Sequence, residues 1–260
     1  MTRIVVGLSR RLRKVRYFLG EFEFIKNKSI ETISGLNNDS SYEYFNYFYN
    51  FRLPKKYRRH REYFVQNQRG FGEDAFHAFW YVIFHHYNPH TCLEIGVYRG
   101  QVISLWNLLA EDLKIESCEI WGLSPLTQAG DNVSQYLDLD YELDILRNFE
   151  FFGLQRPKLM KVLSTSPGGV EFIKSCAWDL IYIDGSHDYQ DVKNDFENSW
   201  SALRKGGLLV LDDSSLYLGY QPRIGRFAGH PGPSRLMKEI LDRNVRHLMT
   251  VGHLNLLQKV

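Results

Sequence analysis

Ile181-Tyr182-Ile183-Asp184-Gly185-Ser186-His187 and, further along, Gly206-Gly207-Leu208-Leu209-Val210-Leu211-Asp212-Asp213 decide the fold of this chain. Each is an apolar, strand-like run that stops abruptly at carboxylates. Val192, Phe196, Trp200 and Leu203 lie between them at the spacing that gives a helix one buried face. Strand, helix, strand reads as a right-handed βαβ unit whose two parallel strands lie side by side, about 4.8 Å apart. Asp184, Asp212 and Asp213 then meet at the carboxyl edge of the sheet, with His187 one short turn away. Ligands of open α/β sheets bind at that edge. Read singly, Asp184-Gly185 and Asp212-Asp213 are also ordinary turn residues and His187 a helix cap. Together they mark a site.

The alternation extends backwards from this unit. Thr91–Ile95 reads as a first strand, with a helix over Gln101–Glu111 after Gly100. Glu116–Gly122 is a second strand, residues 125–140 a loop and Tyr141–Phe152 a helix. Lys158–Leu163 is a third strand, with a short helix from Gly169. Leu180–Asp184 and Gly207–Leu211 are the fourth and fifth strands. This pattern predicts a parallel sheet with helices on both faces. After Gly229-His230-Pro231-Gly232-Pro233, Ser234 is a candidate cap for a helix ending near Asn244. Arg246–Val251 and Leu254–Val260 around Gly252 form a hairpin, which makes one strand antiparallel.

The chain has 260 residues, 44% hydrophobic and 24% charged, the make-up of an ordinary folded protein. Its net charge of +2 is unevenly divided. Residues 1–64 carry 14 Lys/Arg against 6 Asp/Glu, and the remainder 18 against 24. Cys92, Cys118 and Cys176 form no CxxC pair, so buried free thiols are expected rather than a zinc knuckle or disulfide framework. No apolar run approaches the ~18 residues of a membrane span, and Ile4-Val5-Val6 is too short for a signal-peptide core. A cytoplasmic location is expected.

A helical N-terminal extension over 1–74 is set off from a domain over 75–260. Val5, Leu8, Leu12, Val15 and Leu19 follow a heptad-like spacing among basic residues. Residues 3–19 are thus a candidate contact for the inner face of a membrane, or a helix packed on the domain or on a second copy of the chain in a homo-oligomer. Tyr42, Tyr44, Phe45, Tyr47, Phe48, Tyr49 and Phe51 precede a basic run over 55–61. Such residues bind nucleic acid, cover sugars or make dimer seams. The acidic body and the lack of a nucleic-acid module argue against nucleic acid. Gly70-Phe71-Gly72-Glu73-Asp74 either folds over a cofactor or connects. His85, His86 and His90 show no metal-ligand spacing and are expected to be structural.

Leu93-Glu94-Ile95-Gly96-Val97-Tyr98-Arg99-Gly100 closes the first strand. Its glycines are spaced GxxxG, unlike the GxGxxG of dinucleotide sites, and allow close approach of backbone to a ligand. With this turn the chain resembles the class I S-adenosylmethionine-dependent methyltransferases over roughly residues 75–260. Ile183-Asp184-Gly185-Ser186-His187-x-Tyr189, Asp195, Gly206-Gly207 and Asp212-Asp213 resemble the metal-dependent sugar O-methyltransferase branch, which tailors macrolides and other glycosides. The resemblance implies a Rossmann-like, seven-stranded, mostly parallel sheet with a closing antiparallel hairpin. It implies S-adenosylmethionine at Glu94, Gly96, Val97, Tyr98, Gly100, Ser124 and Ser166. In that family the second strand ends in an acidic residue that grips the ribose. Here Ser124 stands there, a hydroxyl without the charge-assisted strength of a carboxylate, and Asp131 is the alternative from the loop.

Three crowded carboxylates repel, and a divalent cation relieves them. The oxygen ligands Asp184, Asp212 and Asp213 favour Mg²⁺ or Mn²⁺. On two vicinal sugar hydroxyls such an ion lowers a hydroxyl pKa. His187 is the expected general base, the role the resemblance gives a histidine three residues after the first metal-binding aspartate. Asp195 is expected to be structural. Arg223, Arg226 and His230 are expected to rim the acceptor pocket. The expected function is methyl transfer from S-adenosylmethionine to a sugar hydroxyl in polysaccharide or glycosylated natural-product synthesis. A hydroxylase of the related antibiotic-tailoring branch and a non-catalytic partner protein of the same fold are the alternatives. Nucleic-acid methylation is disfavoured, because Asp184-Gly185-Ser186-His187 replaces the Asn/Asp-Pro-Pro-aromatic signature of amino-methylating enzymes.

Overall fold

A computed structural model describes residue 34 and residues 37–128, 131, 136–220, 227–243 and 245–260. The amphipathic stretch over 3–19 lies outside them, as do Arg223 and Arg226. The described elements run α1 (Asn38–Phe51), α2 (Lys55–Val65), α3 (Asp74–Tyr87), β1 (Thr91–Ile95), α4 (Gln101–Leu113), β2 (Glu119–Leu123), α5 (Tyr141–Phe151) and β3 (Lys158–Met160). They continue α6 (Pro167–Lys174), β4 (Trp178–Ile183), α7 (Tyr189–Ala202), β5 (Leu203–Leu211), α8 (Pro231–Leu241), β6 (Arg246–Val251) and β7 (Leu254–Gln258).

The seven strands form one sheet in the order β3-β2-β1-β4-β5-β7-β6. β7 runs antiparallel to both β5 and β6, and the remaining pairs are parallel. This is the expected Rossmann-like architecture with its closing hairpin. Strand side chains alternate between faces, so each central strand feeds two cores. Cys92, Leu180, Tyr182, Leu208 and Val210 face a layer that includes Phe45, Phe79 and Trp106 from α1, α3 and α4. Leu93, Ile181, Ile183, Leu209 and Leu211 face Val192 and Phe196 of α7 and Leu236 and Ile240 of α8. Every residue of β4 is buried, as a central parallel strand requires.

Several boundaries differ from the sequence reading; β5, for one, begins at Leu203 rather than Gly207, so Leu203 belongs to the strand and not to the helix before it. β2 starts at Glu119 rather than Glu116, because Ser117 sits at φ +55 in a turn. β3 stops at Met160, a short edge strand paired only with β2. α8 begins at Pro231, whose fixed φ suits a first helical position. Ser234 therefore lies inside the helix, where its hydroxyl donates to the Asp213 carbonyl (3.1 Å) and accepts from Leu216 N (3.0 Å).

The aromatic run of residues 42–51 is a core layer. Tyr42, Tyr44, Phe45, Tyr47 and Tyr49 of α1 are buried in the same cluster as Phe76 and Phe79 of α3. Burial on that scale removes them from any base-stacking surface. No helix among the described residues is long and apolar enough to cross a membrane. Cys92 is buried, Cys118 and Cys176 are half-buried, and all three are free thiols.

Candidate active site

The sheet order reverses between β1 and β4, the point where open α/β sheets open a crevice at their carboxyl ends. A cavity of about 1050 Å³ occupies that crevice. Two residues make the junction. Gly96 N donates to the Leu123 carbonyl (2.9 Å) and Asp184 N to the Ile95 carbonyl (2.8 Å). Gly96 holds φ +98, and a Cβ there would stand 2.0 Å from the Asp184 carbonyl oxygen. Only glycine lets the first turn lie against the strand that carries Asp184.

On one side of the crevice, Gly96, Val97, Tyr98 and Ser124 line the cavity, with Glu94 at its floor. Glu94 is 3% exposed, and its carboxylate accepts from Ile103 N (3.0 Å) in the first turn of α4. It supplies the cap that Gly100 has no side chain to provide. Burial pushes its pKa up to about 8, Asp212 adds to the rise and the Ile103 N–H opposes it. Gly100 and Ser166 are not among the residues lining the cavity. Gly100 turns the chain into α4 at φ +79 and faces Ile145 and Phe149 of α5. Ser166 is the N-cap of α6: its hydroxyl accepts from Gly169 N (3.2 Å) and donates to the Leu163 carbonyl (2.6 Å). Its neighbours Ser164 and Thr165 reach the cavity instead. The Gly70–Glu73 segment lines the cavity too, with the exposed Phe71 ring 5.1 Å from that of Tyr98.

On the other side stand the carboxylates. Asp184, Asp212 and Asp213 all line the cavity, as does His187. Tyr182 donates its hydroxyl to Asp212 and lies 3.0 Å from Asp184 Oδ2. Burial raises the Asp184 pKa well above the carboxylate range, and the adjacent Asp212, Asp213 and Glu94 raise it further. Asp213 behaves oppositely. Burial opposes its ionisation, but His187 and His253 outweigh burial and hold its pKa well below the usual value. The Asp213 backbone sits at φ +52, a left-handed conformation uncommon outside glycine and stored here at the site.

Histidines complete the cluster. His187 Nε2 lies 2.9 Å from Asp213 Oδ2, and Asp131 Oδ2 accepts from both His187 N (2.5 Å) and Nδ1 (2.7 Å). Burial opposes protonation of His187, but Asp213 and Asp131 prevail and raise its pKa above 6.5. Asp131 is thus committed to His187 rather than to a ribose. His253 was missed in the sequence. Its Nδ1 lies 2.6 Å from Asp212 Oδ1 and 3.0 Å from Asp213 Oδ1. Burial opposes its charge, while Asp212, Asp213 and Glu73 raise its pKa well above 6.5. His230 is the third histidine, its ring 4.1 Å from that of His187. Asp195 is buried on α7 away from the cavity lining, and burial raises it to about 7.

The seven-stranded sheet with its closing antiparallel hairpin is the Rossmann-like methyltransferase fold. Residues 93–214 match the family described as a methyltransferase domain. That match takes in 122 of the 260 residues, just under half of the chain. It is similar to a Staphylococcus aureus protein proposed as a caffeoyl-CoA O-methyltransferase (TM-score 0.59, 14% identity, 84% of this chain and 98% of that one). It is also similar to an O-methyltransferase from Bacillus cereus bound to S-adenosylhomocysteine (TM-score 0.55, 16% identity, 82% and 96%). A third likeness is to MycE, a methyltransferase of mycinamycin biosynthesis, in complex with Mg and S-adenosylhomocysteine (TM-score 0.50, 18% identity, 80% and 54%). In sequence, 133 residues are 28% identical to an uncharacterized protein of Acanthamoeba polyphaga mimivirus. That match spans 49% of this chain and 52% of the viral protein, about half of each.

Proposed function

We propose that the protein transfers a methyl group from S-adenosylmethionine to a hydroxyl of a sugar, with assistance from a divalent cation. The observation that carries this reading is the junction at Gly96. There the glycine turn and the carboxylate–histidine cluster open into one cavity, with Gly96 pressed against Asp184.

The residues fit both groups the reading needs. Gly96, Val97, Tyr98 and Ser124, which line the cavity together with Glu94, would hold the methyl donor. Asp184 and Asp212 both meet the Tyr182 hydroxyl, and Asp212 adds to the raised Asp184 pKa, a crowding of carboxyls that a cation relieves. Asp184, Asp212 and Asp213 would hold Mg²⁺ or Mn²⁺, which when bound lowers the pKa of a coordinated hydroxyl. His187 accepts the acceptor's proton at Nε2, and Asp131 fixes the ring orientation through Nδ1. Phe71, Phe227 and His230 at the cavity mouth supply flat faces for a sugar ring. In-line approach of the hydroxyl oxygen to the donor methyl is then a matter of positioning.

Calorimetry with S-adenosylmethionine and S-adenosylhomocysteine, with and without Mg²⁺, tests the reading. Both nucleosides should bind, and Asp184→Asn should remove the Mg²⁺ effect while leaving nucleoside affinity within about threefold, since its backbone contact with Gly96 is kept. Failure of both nucleosides to bind refutes methyl transfer. A glycan context for the acceptor, a cytoplasmic location and a homo-oligomeric state belong to the same proposal.

A further inference from the structure

His187, Asp213 and His230 converge from three segments: the turn after β4, the turn after β5 and the residue before α8. The convergence is built by close backbone approaches. His230 N donates to the Asp213 carbonyl (2.8 Å), and Ser234 Oγ donates to the same oxygen (3.1 Å). Gly229, at φ +115, would place a Cβ 2.1 Å from that carbonyl, so no other residue lets the His230 segment lie against Asp213. Gly232 likewise would place a Cβ 2.1 Å from the His187 carbonyl, which seats the first turn of α8 on His187.

The resulting donor set has the spacing of a metal site. Asp213 Oδ2 is 2.9 Å from His187 Nε2 and 3.8 Å from His230 Nε2, and the three donor atoms lie within 4.8 Å of one another. Ligands about 2.0 Å from a tetrahedral ion stand about 3.3 Å apart, between those two values. Outer partners are in place as well. Asp131 holds His187 by Nδ1, which leaves Nε2 to face the ion, and His253 Nδ1 holds the other Asp213 oxygen at 3.0 Å. Carboxylate partners of this kind fix tautomer and ring orientation in metal–histidine sites. All three donor residues line the cavity, so a fourth position is open to it.

We propose that His187, Asp213 and His230 form a cation site, distinct from the oxygen-only set of Asp184, Asp212 and Asp213, that selects an imidazole-binding transition metal such as Zn²⁺ or Co²⁺ over Mg²⁺. Two imidazoles and one carboxylate suit those ions, whereas Mg²⁺ prefers oxygen and an octahedron. The two sites share Asp213. An ion at the histidine site also occupies the nitrogen assigned to proton removal, so Zn²⁺ opposes Mg²⁺-assisted turnover.

The test uses the full chain freed of metal and titrated with Co²⁺, followed by its visible d–d absorption. The site gives the intense spectrum of tetrahedral cobalt at one equivalent, reversed by Zn²⁺ and not by a hundredfold excess of Mg²⁺. His230→Ala and the more conservative His230→Gln each weaken Co²⁺ at least tenfold, and Asp131→Asn about tenfold. Asp184→Asn leaves the cobalt spectrum unchanged. An octahedral spectrum, no binding, or equal loss from Asp184→Asn and His230→Ala overturns the proposal. Nucleoside calorimetry on the same protein reads the methyl-transfer proposal separately, and no cobalt result bears on it.

Discussion

Gly96→Ala gives the most direct measure of how the fold and the site depend on one another. An alanine Cβ at this position would stand 2.0 Å from the Asp184 carbonyl oxygen, 2.3 Å from its carbon and 2.5 Å from Gly185 Cα. All three are backbone atoms, so no rotamer change relieves the overlap. Reaching ordinary contact at 3.4 Å requires β1 and β4 to part by more than an ångström at their carboxyl ends. A left-handed φ costs a non-glycine residue about 1–2 kcal/mol, and overpacking about 1–3 kcal/mol more. The expected loss is therefore about 2–5 kcal/mol, a melting-temperature drop of roughly 5–20 °C for a chain of this size. Gly153→Ala is the matched control, because Gly153 also has positive φ (+68) but has nothing within 4 Å of its would-be Cβ. It should lose only the backbone part, about 1–2 kcal/mol. Thermal melts of the two variants, with S-adenosylhomocysteine calorimetry on each, separate strain from contact. Gly96→Ala should also weaken the nucleoside at least tenfold, and Gly153→Ala should not. If the two variants melt within about 2 °C of each other and bind the nucleoside alike, the close approach of the turn to Asp184 is not what builds the site.

Asp195 holds its proton up to about pH 7 when folded and only to 3.8 when unfolded, so stability present in acid is lost as pH rises between those values. Asp195→Asn should match the wild type near pH 4 and be more stable at pH 8 by roughly 2–4 kcal/mol in urea melts; a constant difference across pH would refute this. His60 and His77 are buried and neutral, with burial lowering His60 to about 3 and His77 well below 6.5. Stability falls as the unfolded chain takes up their protons below pH 6.5, and His77→Phe should flatten that slope by about 1.4 kcal/mol per pH unit between pH 6 and 4. Arg99 grips Asp144 of α5 through Nε (2.6 Å) and an η nitrogen (2.9 Å). Arg99→Lys should lose this fork and about 1–2 kcal/mol, and an unchanged melt would show that the pair does not anchor α5.

Most of the sheet was legible because its central strands are continuous apolar runs that end at glycines or carboxylates. β1 was read to the residue, since Thr91 to Ile95 is bounded by Pro89-His90 and Gly96. Asp184, Asp212, Asp213 and His187 were legible because one topological rule places the ends of adjacent parallel strands together. Ser166 and Gly100 hold helix ends in the fold, and sequence alone does not separate a helix cap or helix-opening glycine from a ligand contact in the same βα turn.

His253 was missed because its position depends on an antiparallel register. β7 pairs with β5 so that Asn255 lies opposite Leu211. Counting outward two residues along each strand brings His253 opposite Asp213, and Ser214 N donates to the His253 carbonyl (2.9 Å) to close the pair. The sequence showed the Gly252 turn without saying which residues of β5 it would meet, and a slip of one position would have turned His253 to the other face. His230 and Asp131 are harder still, because loops rather than strands deliver them. The placing of His230 depends on Gly229 and Gly232, where a Cβ would overlap backbone carbonyls that the sequence places 16 and 45 residues away. The carboxylates and His187 were thus readable from strand ends, whereas the contacts of His230 and His253 required the folded chain. That division is why the sequence points to Mg²⁺ or Mn²⁺, and why the proposed imidazole site emerges only from the fold.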